Sequence, residues 1–263
     1  MKIEPRYYLS TGLSSLWQNW KRLIVPSFLA ALVSILISID SWMPVSNEPE
    51  GLGMAIGSVL LMFAGIYLNI LTFICVLVVA KECLDSKNNS LIESYKESTK
   101  YVRSFFWYII LLAMPLILLE LIYKGLINFI PNDFGKLFVL LVGLLISLVI
   151  FSALNLVMIS VVIDYKSKKH LQICFKMIKN NFVPVMLILI ISYSFVLIPT
   201  LLILLQSLEL SRSALIFKDI SLALAEVFLV PFSALVTIPL YRDLKERIGT
   251  VDSNPQPMVN EQI

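Results

Sequence analysis

Histidine is almost missing from this sequence: His170 stands alone among 263 residues. One imidazole excludes the H-E-x-x-H zinc helix and any histidine-rich cluster. Its setting in the basic run KSKKH (166–170) reads as a surface position. Cysteine is nearly as scarce. Cys75, Cys83 and Cys174 form neither a secreted disulfide framework nor a C-x-x-C metal pattern, and are read as small buried or interfacial hydrophobes. Charge is also thin, at 15% of residues, where a soluble chain carries about 25%. No G-x-x-x-x-G-K-[ST] phosphate loop and no G-x-S-x-G nucleophile elbow occurs. The connections between apolar runs are too short to fold as a catalytic domain. An enzyme is therefore not expected, nor a cofactor, a metal or a nucleic-acid partner, since no basic patch with interleaved aromatics lies on a soluble face.

What replaces these groups is hydrocarbon. Apolar residues make up 58% of the chain, against about 45–50% in a soluble one, and mean hydropathy is +0.86. The excess gathers in six runs, at 23–39, 52–80, 104–123, 137–163, 182–206 and 220–241. About 20 apolar residues cross the hydrocarbon core as a helix. The runs do not alternate apolar and polar residues, which argues against a transmembrane β-barrel. The expected fold is an all-α, polytopic membrane helix bundle of six transmembrane helices over 1–247, with 248–263 as a disordered cytoplasmic tail. The first 22 residues hold no continuous apolar h-region, so the first span is expected to direct insertion itself.

Lysine and arginine orient the bundle. One side collects Lys2, Arg6, Lys21 and Arg22, the connections 81–103 and 164–181, and Arg242, Lys245 and Arg247; the other holds only Lys124, Lys136, Arg212 and Lys218. The positive-inside rule then places both termini in the cytoplasm of a plasma-membrane protein.

Each inner connection also carries a helical apolar stripe. These are Leu9, Leu13, Leu16, Trp17 and Trp20; Leu91, Tyr95 and Val102; and Leu171, Cys174, Phe175 and Ile178. Such stripes either lie in the headgroup layer, where each nearby cation adds about 1 kcal/mol, or pack on the inner mouth of the bundle. They recur at a fixed interval, since Lys21, Lys100 and Lys179 are spaced by 79 residues and Pro26 and Pro184 by twice that. The chain therefore reads as three helical hairpins, each preceded by a cytoplasmic amphipathic helix, and transport sites in repeat-built proteins often lie between repeats.

Ionisable and amide groups inside hydrocarbon are costly and mark candidate sites. Glu226, in LALAEVFLVPF, leads, followed by Asn69 and Asn155 in the second and fourth runs and Glu120 four residues before Lys124. Each has a structural alternative: an interhelical hydrogen bond for Glu226, Asn69 and Asn155, or for Glu226 a pair with a snorkelling outer base such as Lys124 or Lys218, and a helical ion pair for Glu120. On the inner side, Lys21, Lys100, Lys179, Arg242, Asp243 and Arg247 are candidates for contact with lipid headgroups or a partner, or for anchoring the last span.

The stretches VVIDYKSK (161–168), LQICFKMIKNNFVPVML (171–187) and VPFSALVTIPLYRDLKERIG (230–249) resemble the glycerophosphoryl diester phosphodiesterase membrane-domain family and related six-span bacterial proteins. The likeness includes a final span that closes in Tyr241, Arg242, Asp243, Leu244, Lys245, Glu246 and Arg247. It implies a six-span membrane part. The phosphodiesterase barrel that some members carry has no counterpart here, so the resemblance implies no such activity. The functional expectation is a non-enzymatic membrane scaffold or transport-associated component, engaging anionic inner-leaflet lipid or a partner membrane protein. The alternative is a transporter or permease subunit, energised by a separate ATPase or by a proton, with Glu226 lining the pathway.

Overall fold

The computed structural model describes residues 3–42, 52–130, 133–165, 167, 169–192 and 212–252. Among the described residues the chain is all-helical, with no strand. The helices are α1 (Pro5–Trp42), α2 (Leu52–Leu84), α3 (Leu91–Phe129), α4 (Asp133–Ile163), α5 (His170–Asn180), α6 (Phe182–Ser192) and α7 (Arg212–Asp252). Among the described residues three contain a run long and apolar enough to cross a membrane: Pro5–Leu36, Phe63–Leu84 and Asp219–Ile248. The pair α5 and α6 makes a fourth when counted as one bent span. Residues 193–206, the outer part of the fifth expected span, lie outside the described residues.

Contacts between the helices repeat three times around the bundle. The helices α2, α4 and α7 touch one another and form an inner ring. Around them, α1 seats against α7 and α2, α3 against α2 and α4, and α5 against α4 and α7. Each outer helix thus bridges two inner ones, as the 79-residue interval anticipates. Packing is tightest at the basic end. There Ile74 to Ala80, Leu156, Val157, Val161 and Val162, and Leu235 to Leu244 with few exceptions are buried. Farther along the same helices Phe63, Leu68, Leu224 and Phe228 are exposed, as are Leu32 and Leu36 on α1. Large apolar side chains exposed on several helices at once suit a hydrocarbon surround.

The amphipathic stripes pack on the core at their inner edge. Leu9, Leu16, Leu91, Tyr95 and Leu171 lie against it, and Val102, Cys174 and Ile178 belong to it. Their outer edge, Leu13, Trp17, Trp20 and Phe175, stays exposed. The expectation of three separate amphipathic helices needs correction, because α1 and α3 run unbroken from stripe into span. Only the third copy breaks, with α5 and α6 bent by 106°. Pro184 lacks an N–H and crowds the carbonyl four residues back, at Asn180, and Asn180–Asn181 is a weak helix former. In α1 the equivalent Pro26 is carried inside the helix, with stronger helix formers before it. Asn181 Nδ2 instead donates to Met177 O at 3.3 Å, serving a carbonyl at the end of α5.

The turn between α2 and α3 is capped on both sides. Ser86 takes a positive φ of 54°, and Lys87 N–H reaches back to Glu82 O at 2.8 Å, which closes α2 as a Schellman motif. Ser90 and Glu93 then open α3 as a capping box, with bonds of 2.9 and 3.3 Å. The hydrogen bond from the Ser90 backbone holds the Glu93 carboxyl below its usual range. At the other end of the chain α7 continues to Asp252, so a helix occupies the start of the segment read as a disordered tail. Residues 253–263 lie outside the described residues.

Candidate functional site

Two polar groups interrupt the apolar packing. The first lies within the expected membrane layer, on three helices. Asn69 Nδ2 of α2 donates to Ser34 Oγ of α1 at 2.8 Å, and Ser34 Oγ approaches Glu226 Oε2 of α7 at 3.5 Å. Twelve residues at 1.5 Å each separate Ser34 from Arg22, so the triad lies about 18 Å along α1 from the basic end. It borders a small apolar seam of Ala31, Ala223 and Val227. Between triad and basic end the bundle is filled by buried side chains such as Leu23, Ile74, Leu235 and Val236. Two of the expected intramembrane candidates, Glu226 and Asn69, therefore meet through a serine. Asn155 is buried on α4, a different helix from the three that supply the triad. The side chain of Glu120 lies outside the described residues.

The second group seals the basic end. Arg22 Nη2 of α1 pairs with Glu82 Oε2 of α2 at 3.1 Å. The same guanidinium donates to the carbonyls of Lys87 (2.8 Å) and Asn89 (3.0 Å). Glu82, whose side chain is 5% exposed, also accepts from Asn89 and Ser94, each at 2.9 Å. A buried carboxylate needs this many partners to offset its desolvation. Lys81 Nζ reaches Val162 O of α4 at 3.0 Å. Residues 241–247 of α7 then touch its neighbours in turn. Arg242 pairs with Asp85 of α2 at 2.7 Å. Tyr241 donates to Asp164, at the end of α4, at 2.6 Å, and Lys245 pairs with the other oxygen at 2.5 Å. Asp243 accepts from Tyr8 of α1 and from Arg247 at 2.8 Å.

This network sorts the inner-side candidates. Arg242, Asp243 and Arg247 are engaged within the bundle, whereas Lys21, Lys100 and Lys179 are exposed. The reading of His170 as a surface residue is overturned. It is 4% exposed, with Nδ1 2.9 Å from Ser160 Oγ and its ring edge-on to Tyr108 at 5.8 Å. It starts α5, and the α4–α5 contact covers it. Burial holds its imidazole below the ordinary value, against the opposing pull of Asp164 and a backbone bond at Ser167.

The residues that the sequence reading missed are Ser34, Tyr8, Glu82, Asp85 and Asp164. A signal for two of them was present, since Asp85, Asp164 and Asp243 stand 79 residues apart; Asp85 and Asp164 directly follow α2 and α4, and Asp243 lies inside α7. Ser34 carried none, because a serine in a span is common and seldom a partner for a carboxyl. Among the described residues no group of three His, Cys, Asp or Glu could hold a metal.

No family model matches the chain, and neither does a curated protein or a solved structure.

Proposed function

We propose that this chain is a non-enzymatic, six-span protein of the plasma membrane, built as three hairpins with both termini in the cytoplasm. It serves as a scaffold whose cytoplasmic cap engages the anionic inner leaflet or a partner protein. The likeness to the membrane part of the phosphodiesterase family fits this reading. Its main support is the closed network at the basic end, where α7 ties down α1, α2 and α4 while Lys21, Lys100 and Lys179 face outward. A cap locked by cross-bundle ion pairs suits a rigid platform better than a gate. Each outward cation near an anionic surface contributes about 1 kcal/mol.

The test is reconstitution into nanodiscs of phosphatidylglycerol or phosphatidylcholine. The midpoint of thermal unfolding rises in phosphatidylglycerol, and the triple variant Lys21→Gln, Lys100→Gln, Lys179→Gln loses most of that rise. Equal midpoints in the two lipids contradict the reading.

A second reading, a transporter or permease subunit, is supported by the meeting of Glu226, Ser34 and Asn69 on three helices. Uptake of protons or of a small cation into proteoliposomes, abolished by Glu226→Gln, favours that reading. The scaffold reading expects no flux that depends on Glu226.

A further inference from the structure

A groove of about 380 Å3 runs between α2 and α3 on the outside of the bundle. Its walls are Ile66, Tyr67 and Ile70 of α2 and Thr99, Arg103 and Phe106 of α3. That volume lies at the small end of the range for ligand pockets, about 300–1,000 Å3. The walls are apolar except at one end, where Arg103 stands exposed. Among the described residues Arg103 has no acidic partner, unlike Arg22, Arg242 and Arg247. The Thr99 hydroxyl is committed to Lys96 O at 2.8 Å, so the charged donor that the groove offers is the guanidinium, beside the neutral hydroxyl of Tyr67.

Arg103 lies three residues beyond Lys100, at the level where the repeat places Lys21 and Lys179. Lys96 and Lys100 are exposed on the same side of α3, at one and two turns' spacing. One turn the other way, Trp107 is 62% exposed, as expected of an aromatic anchor at the headgroup boundary. An apolar trough with an unpaired, planar cation at its headgroup end matches one occupant, a phospholipid with an anionic head. A guanidinium meets phosphate oxygens through two parallel hydrogen bonds, and the trough receives an acyl chain. A soluble phosphorylated ligand would leave the apolar walls uncovered.

We propose that the α2–α3 groove is a fixed binding site for one anionic phospholipid of the inner leaflet, its phosphate held by Arg103 and an acyl chain laid along Ile66, Ile70 and Phe106. This rests on the membrane reading of the chain, but not on the bulk lipid preference assigned to Lys21, Lys100 and Lys179.

Native mass spectrometry of the detergent-purified full chain, titrated with phosphatidylglycerol or phosphatidylcholine, tests it. The wild type retains one phosphatidylglycerol in preference to phosphatidylcholine. Arg103→Gln weakens that retention by about tenfold, the scale of one charge-assisted contact. Ile66→Trp, which fills the trough and leaves the cation in place, also removes the bound lipid. The triple lysine variant keeps it, which separates this site from the general attraction of the cap. Equal retention of both lipids overturns the proposal, as does unchanged retention by Arg103→Gln. A groove occupied by a second copy of the chain, with Ile66→Trp monomeric and the wild type dimeric, also overturns it. A chain that stays dispersed without detergent would instead defeat the membrane reading itself.

Discussion

Arg22 of α1 reaches Glu82 of α2 at 3.1 Å, and the same guanidinium takes the carbonyls of Lys87 and Asn89 in the turn that follows. One side chain therefore ties α1 to the end of α2 and to the turn that leads into α3. Removing one partner of a buried pair leaves an uncompensated charge, at a cost of about 3–5 kcal/mol. Arg22 is partly exposed, so Arg22→Ala is expected at about 3 kcal/mol, read from denaturant unfolding in detergent. The double variant Arg22→Met, Glu82→Met recovers part of that loss, because it leaves no unpaired carboxylate.

Gly12 marks a close approach of α1 to α7. A Cβ there would meet Val236 Cγ2 at 2.4 Å and the Val236 backbone nitrogen at 3.3 Å. The valine methyl has little room, since Val236 is fully buried. Gly12→Ala is expected to destabilise by about 1–3 kcal/mol through overpacking, despite the better helix propensity of alanine. The paired variant Gly12→Ala, Val236→Ala regains most of it in the same unfolding assay.

Ser86 offers a change in the opposite direction. Its φ of 54° lies in the left-handed region, which glycine occupies without steric cost. Ser86→Gly is expected to stabilise by up to about 1 kcal/mol, and its midpoint of unfolding exceeds that of the wild type.

His170 makes the cap sensitive to acid. Burial holds its folded pKa below the ordinary value near 6.5. The unfolded chain therefore binds the proton more readily than the folded one. The stability tied to the neutral ring is complete above about pH 6.5 and is lost as pH falls toward the lower, folded value. Between pH 7.5 and 5.5 the thermal midpoint of the wild type should drop by more than that of His170→Asn, compared under identical detergent conditions. Parallel drops in the two proteins contradict this assignment.

Hydropathy and charge in the sequence carry the helical class, and the 79-residue interval anticipates the threefold pattern of contacts. A period in sequence reports which segments are equivalent, and equivalent segments pack alike. Continuity of α1 and α3 was not legible. Whether a stripe and a span join or bend depends on a few residues at the junction, such as Asn180 and Asn181, and on what Arg22 binds across the bundle. His170 misled because its lysine neighbours in sequence are not its neighbours in space; Ser160 and Tyr108 are. Glu226 and Asn69 stood out as polar residues in apolar runs. Their meeting through Ser34 needed the relative rotation of three helices, which no local pattern encodes. The roles of Arg242 and Asp243 were legible only as alternatives, since alternating charges at a helix end suit either a partner or a neighbouring helix, and here they meet Asp85 and Tyr8.

The proposed topology puts hydrocarbon around the bundle and its basic ends together in the cytoplasm. Labelling of single cysteines with an impermeant maleimide in intact cells tests it most directly, in a background lacking Cys75, Cys83 and Cys174. Ser46→Cys and Asn132→Cys, in the expected outer connections, should react from outside. Asn88→Cys, in the turn between α2 and α3, should react only after the membrane is opened. Labelling of Asn88→Cys in sealed cells, with Ser46→Cys and Asn132→Cys protected, would contradict the account.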